Sequence, residues 1–279
     1  MWVIKMVINP LKFVEDTEWT QRSNNEIITH EAVESKLDKF DTYEFQGRGV
    51  PRVSEILKKC LGKDYLVIWA ARLGLEEYRK ESNRTLYIGS IVHECIERFL
   101  LHGDVKIPDN ISSPMVRNKI KRSVENFIDW YNSMISKGYI IRIIAIEQQT
   151  TNPWFGGTID CIMNISHPDT GYNKNFIVDF KTSKSISIDY ILQTYSYLWS
   201  VRWNKCFYDP TLPDIDGIGI IRIDKEAVKF EDLFLTIQEH TEIMYDIECS
   251  VVSMINWYYH ILITEYNLRI GKRTKERLL

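Results

Sequence analysis

Residues 155–181 read FGGTIDCIMNISHPDTGYNKNFIVDFK, and the two ends of this stretch decide how the rest of the chain is arranged. Gly156-Gly157-Thr158-Ile159-Asp160 and Ile177-Val178-Asp179-Phe180-Lys181 each set an acidic residue within a run of β-forming residues. Successive strand residues point to opposite faces, so Asp179 and Lys181 share one face while Val178 and Phe180 share the other. A carboxylate and an ammonium on an otherwise apolar strand are costly to bury without a use. Between the two runs, Pro168, Asp169, Gly171 and Asn173 give a turn composition. A connection this short implies antiparallel pairing. That pairing brings Asp160, expected on the face of Ile162, beside Asp179.

Working outward, residues 139–151 form a preceding strand that carries Glu147, completing an antiparallel meander. Upstream of it, Ile88, Val92, Cys95, Ile96, Phe99 and Leu100 supply the apolar stripe of a helix over residues 89–101. On that helix Gly89 lies one turn before His93, and Glu97 one turn after it. The string from His93 to Glu97 is half of an HExxH zinc motif; it lacks the second histidine, which excludes a zinc protease. Residues 114–137 give another helix, closed by Gly138. Downstream, residues 187–203 form a helix on which Gln193 and Tyr197, four apart, share a face. Strand character returns at residues 217–223. A last helix is expected from about 231 to 269, broken near Cys249, and followed by a basic tail.

Residues 1–42 read as a polar extension with one helix over 31–40. Residues 43–53 read as a hairpin turning at 46–49. Ser54 is the expected N-cap of a helix through Ile56, Leu57 and Cys60, ended by Gly62. A second helix is expected over residues 65–82. From Arg48 to Arg84 there are nine Lys/Arg against five Asp/Glu, a surplus that suits either a solvated face or an arch contacting phosphates. The chain therefore divides into an extension (1–42), a hairpin with an arch-like helical region (43–85), a core (86–230) and a C-terminal helix with its tail (231–279).

The 279 residues allow one large α/β domain with a real core. A net charge of −3 excludes a nucleic-acid binder driven by overall charge, so any such site is a local groove. The five cysteines contain no CxxC pair, which fits a reducing compartment and neither a disulfide framework nor a zinc finger. The start, MWVIKM, lacks a basic-then-apolar signal layout, and no apolar run approaches a membrane span. A soluble, cytoplasmic protein is expected.

Asp160, Asp179 and a nearby imidazole make a mostly oxygen donor set, which suits Mg²⁺ or Mn²⁺. Alone, Asp179 and Lys181 read as an ordinary strand ion pair. The ordered set is more specific. Gly89 with His93, Gly157 with Asp160, Asp179 with Lys181, and Gln193 with Tyr197 follow one another over residues 86–200. In that order they resemble the RecB-type branch of the PD-(D/E)xK nucleases. The resemblance implies a restriction-endonuclease-like α/β core, with a central mixed sheet, an antiparallel meander, flanking helices, an N-terminal helical region and a C-terminal helix. It implies that His93, Asp160, Asp179 and the Phe180 carbonyl hold the metal and that Lys181 is catalytic. The roles open to Lys181 are orienting or deprotonating a water and neutralising charge on phosphorus. Gln193 and Tyr197 hold the substrate strand or the site's shell, and Glu147 has a secondary catalytic role. The segment from Gly49 to Leu57 is similar to one ahead of the core in phage-encoded exonucleases and the mitochondrial genome maintenance exonuclease, which makes Arg52 and Ser54 candidate substrate contacts. Arg52 stands where that segment usually has Ser, and Ser54 where it has Thr. Members with an iron–sulfur cluster carry four cysteines in a spacing this chain lacks, so no cluster is expected. The implied activity is a metal-dependent DNA exonuclease on single strands or free ends, working with replication or recombination proteins. An endonuclease and a non-cleaving DNA-binding protein are the alternatives.

Overall fold

The computed structural model describes residues 42–62 and 64–276; the expected extension, with its helix at 31–40, lies outside them, apart from Thr42. The hairpin forms from β1 (Thr42–Phe45) and β2 (Arg48–Pro51), paired antiparallel. Its turn is the two residues Gln46 and Gly47, both with positive φ, the geometry that matches strand twist. Then follow α1 (Val53–Cys60), α2 (Asp64–Leu73), α3 (Leu75–His102) and α4 (Pro114–Ser136). Ser54 is not the cap of α1. Arg52 holds that position without a side-chain capping bond, because the chain leaves the hairpin already extended and turns helical at Val53.

The helix expected over 65–82 is two. Gly74, at φ 82°, breaks it, a conformation that costs other residues a steric penalty. Beyond the break, α3 runs unbroken for 28 residues through the 85/86 boundary. The arch-like region and the core therefore share one helix.

The sheet has five strands in the order β3 (Ile140–Thr151), β4 (Gly156–His167), β5 (Tyr172–Lys181), β6 (Gly217–Ile223), β7 (Phe230–Thr236). Neighbours are antiparallel except β5 and β6, which α5 (Ile188–Phe207) connects as a parallel crossover. Interior β6 is buried at every residue and reads as a nearly continuous apolar run. β7 corrects the expectation of a helix from 231. Phe230-Glu231-Asp232-Leu233-Phe234-Leu235 fits either period, but the open edge of β6 needs partners for its backbone groups. The last helix, α6 (Thr241–Glu276), is not broken near Cys249. Met244, Ile247, Val251, Ile255, Tyr258 and Leu262 carry one buried stripe across that point.

Helices cover both faces, making three layers. On one side α1, α5 and α6 pack over Ile159, Ile162, Ile177 and Ile218. On the other, α3 and α4 bring Ile88, Val92, Ile96, Ile120, Phe127 and Trp130 against Met163, Phe176, Val178 and Ile221. Each such aliphatic or aromatic side chain contributes about 1.5–3 kcal/mol by leaving water. The architecture is α/β, with a mixed central sheet and an antiparallel meander flanked by helices. Among the described residues no helix is long and apolar enough to cross a membrane.

Candidate metal centre

β4 and β5 stop pairing just where their acidic residues lie. Their ladder begins at Cys161 opposite Val178 and runs away from Asp160. Ile159 and Ile162 sit in the same layer although three apart, so the alternation slips by one residue at Asp160. Asp160 thus stands in the seam and not on the face of Ile162. There its Oδ2 accepts a hydrogen bond of 2.8 Å from the Phe180 amide, in place of a ladder bond. Burial of Ile88, Val92, Cys95 and Ile96 fixes the rotation of α3 and turns His93 to the same seam. His93 Nε2 is 2.9 Å from the Phe180 carbonyl. A carbonyl only accepts, so Nε2 carries the proton in that bond. Nδ1 faces Asp160 Oδ2 at 3.5 Å.

Asp179 and Lys181 share a face as the strand period requires. Asp179 is 2% exposed, and Lys181 Nζ stands 2.5 Å from its Oδ2. Burial pushes the Asp179 carboxyl above its ordinary range, and the Asp160 carboxylate adds to this against the pull of Lys181. Burial also pulls Lys181 down, but the carboxylates of Asp179 and Asp160 prevail and hold its ammonium above the usual range. Lys181 therefore stays charged beside Asp179. Lys181 Nζ also lies 5.1 Å from the centre of the Tyr190 ring.

Glu147 is closer to the centre than its secondary role implied. Ile146 pairs with Cys161 and Gln148 with Ile159, so Glu147 stands opposite Asp160. His93, Glu147 and Asp160 each offer a ligand atom, and these lie within 4.8 Å of one another. Burial and the neighbouring Asp160 raise the Glu147 carboxyl above its ordinary range. Its φ of 48° is strained for a residue with a side chain. One imidazole and the carboxylates of Glu147, Asp160 and Asp179 form a donor set that fits Mg²⁺ or Mn²⁺. Asp179 is not part of the group of three, since its oxygen is turned to Lys181.

Glu147→Gly separates strain from ligation. The variant is expected to keep or gain stability, since glycine adopts this φ freely and the change removes a strain on the order of 1 kcal/mol. It is also expected to bind Mn²⁺ more weakly. Thermal melts and calorimetry on one preparation check both, and a loss of stability would contradict the strain.

Gln193 and Tyr197 face the centre from α5. Gln193 Nε2 donates to the Tyr197 hydroxyl at 2.9 Å. Burial raises the Tyr197 phenol above its usual range. The packing explains Gly157, because a Cβ there would lie 2.2 Å from the Tyr197 ring. Gly157→Ala is expected to displace Tyr197 and cost about 1–3 kcal/mol in a denaturant titration. Gly89 has no such constraint: its Cβ would meet Thr182 Oγ1 at an ordinary 3.7 Å. Arg52 and Ser54 line one cavity together with Gln193 and Tyr197, so the four candidate substrate contacts are gathered in one place.

Three residues escaped the sequence reading. Tyr190 lies one turn before Gln193 and two before Tyr197, a helical spacing that gives it the same face. Thr158 sits inside the opening motif and lines the cavity. Arg222, 1% exposed, donates to Ser183 O at 3.2 Å and to Glu231 Oε2 at 2.8 Å, tying down the loop after Lys181. An arginine within GIGIIRI was the available signal.

No family model matches the chain. No curated protein matches it either. Among solved structures, the crystal structure of SSO0001 is similar at a TM-score of 0.31 and 13% identity, over 84% of this chain and 88% of that one.

Proposed function

We propose that the chain is a divalent-metal-dependent deoxyribonuclease of the PD-(D/E)xK type. It acts as an exonuclease on single-stranded DNA or duplex ends, in replication, recombination or repair. The observation that carries this reading is the convergence of His93, Glu147 and Asp160 within 4.8 Å, beside the ion pair of buried Asp179 and half-buried Lys181. Asp160, Asp179, His93 and the Phe180 carbonyl would hold Mg²⁺ or Mn²⁺, with Glu147 joining them. The His93 N–H donates to that same Phe180 carbonyl. Bound there, the ion supplies polarisation of a phosphoryl oxygen and a bound water of lowered pKa.

The chain's own groups do the rest. Lys181, held as an ammonium, offers positive charge where negative charge develops on the phosphoryl oxygens. That favours charge neutralisation over proton abstraction among its open roles. Gln193, Tyr197, Arg52 and Ser54 hold the strand beside the centre. No iron–sulfur cluster takes part, and the cytoplasm, with replication or recombination proteins as partners, is the setting.

The test compares a circular single-stranded DNA with the same strand linearised, in Mn²⁺. Degradation of the linear form alone is expected. Cutting of the circle would replace the exonuclease by an endonuclease. Metal-dependent binding without cutting of either would leave a nuclease-derived DNA-binding protein.

A further inference from the structure

Lys181 is held from two sides. Its Nζ stands 2.5 Å from Asp179 Oδ2 on the same strand and 5.1 Å from the centre of the Tyr190 ring on α5. Lysine carries its charge on a flexible four-carbon stem, and Asp179 alone gives that charge a single anchor. Left to that anchor, the ammonium folds onto Asp179 and serves as its counterion. An aromatic face attracts a cation through its quadrupole and brings no net charge of its own. The Tyr190 ring therefore steadies the ammonium without neutralising it, as a second carboxylate would.

The ring is itself fixed. Tyr190 lies in the first turn of α5, where its N–H donates to Ser187 O at 3.1 Å and its carbonyl accepts from Thr194 Oγ1 at 2.8 Å. Thr194 is fully buried and Leu192 nearly so, which sets the rotation of the helix about its axis. That rotation gives Tyr190, Gln193 and Tyr197 one common face. Gln193 and Tyr197 hold each other by their hydrogen bond, and Tyr197 is near enough to Lys181 for the two groups to act on one another electrostatically. The crossover that makes β5 and β6 parallel carries this face back over the end of the strand bearing Lys181.

We propose that Tyr190 is a positioning residue for Lys181: its ring face keeps the ammonium from folding fully onto Asp179 and so leaves the charge for the reacting phosphoryl group. The inference rests on the nuclease reading. Tyr190→Phe keeps the face, and Tyr190→Leu keeps an apolar side chain in this half-buried position without it; melting curves check that both fold. One readout needs neither DNA nor metal. In protein made with carbon-13 lysine, the Lys181 ε-methylene signal is assigned by its loss in Lys181→Arg, and its ring-current shift is read at fixed pH. An upfield position is expected in the unaltered protein and in Tyr190→Phe, and an ordinary lysine position in Tyr190→Leu. The other readout is single-turnover cleavage in Mn²⁺ beside DNA binding by anisotropy. Tyr190→Leu is expected to cut about tenfold more slowly at unchanged DNA affinity, and Tyr190→Phe to recover most of the rate. An unshifted Lys181 signal in the unaltered protein overturns the proposal. So does full-rate cleavage by Tyr190→Leu, or a Tyr190→Phe that cuts no better than Tyr190→Leu. A shifted signal in a protein that cuts no DNA upholds the seat and removes the nuclease reading, whereas cleavage without the shifted signal does the reverse.

Discussion

Lys181→Ala is expected to abolish turnover while leaving metal-dependent DNA binding largely intact. The ammonium is half-buried and lies against Asp179, with the Asp160 carboxylate also acting on it. Losing a preorganised charge at the reacting group costs on the order of 10²–10³ in rate, and a water-excluded site enlarges this. The metal donors remain in the variant, so a Mn²⁺ titration should still give binding. Asp179 loses its cation, and its need for the metal increases. Single-turnover cleavage with saturating enzyme separates the two effects. Unchanged turnover would remove Lys181 from the mechanism.

The second large effect is expected from Asp160→Asn, which should lose both Mn²⁺ binding and cleavage. Asparagine keeps a carbonyl oxygen to accept from the Phe180 amide, so the fold survives while the charge goes. The loss in affinity is expected to exceed the ~10–100-fold that outer-shell partners of a metal cost. Asp179→Asn should give the same loss, but it also leaves Lys181 without its ion-pair partner, so Asp160→Asn is the cleaner variant. Calorimetric titration reads both directly. Wild-type affinity in either would refute the ligand assignment.

Much of this arrangement is legible in the order of residues. The period of two in IVDFK puts Asp179 and Lys181 on one face, and the turn at residues 168–171 dictates the antiparallel pairing of β4 and β5. The period of 3.6 aligns Gln193 with Tyr197. What escaped depends on tertiary context. The slip at Asp160 has no signature in GGTID, because it arises where two strands part. The positive φ of Glu147 falls where the ladder between Ile146 and Gln148 skips a pair, and it is contrary to the preference of a glutamate. The β7 strand has an ambiguous period, resolved only by the open edge of β6. Ser54 reads as a cap by composition, but the hairpin brings the chain in two residues earlier, with Arg52 at the cap.

The hydrogen bond from the Phe180 amide to Asp160 closes the sheet at its open seam, and on the proposed reading the same carboxylate contributes to the ion's seat. Cation occupancy and strand closure are then linked equilibria, and each must register in the other. The Phe180 amide becomes a built-in reporter of the centre. Its hydrogen-exchange rate reads the state of Asp160 without DNA, without turnover, and without any label placed in the site.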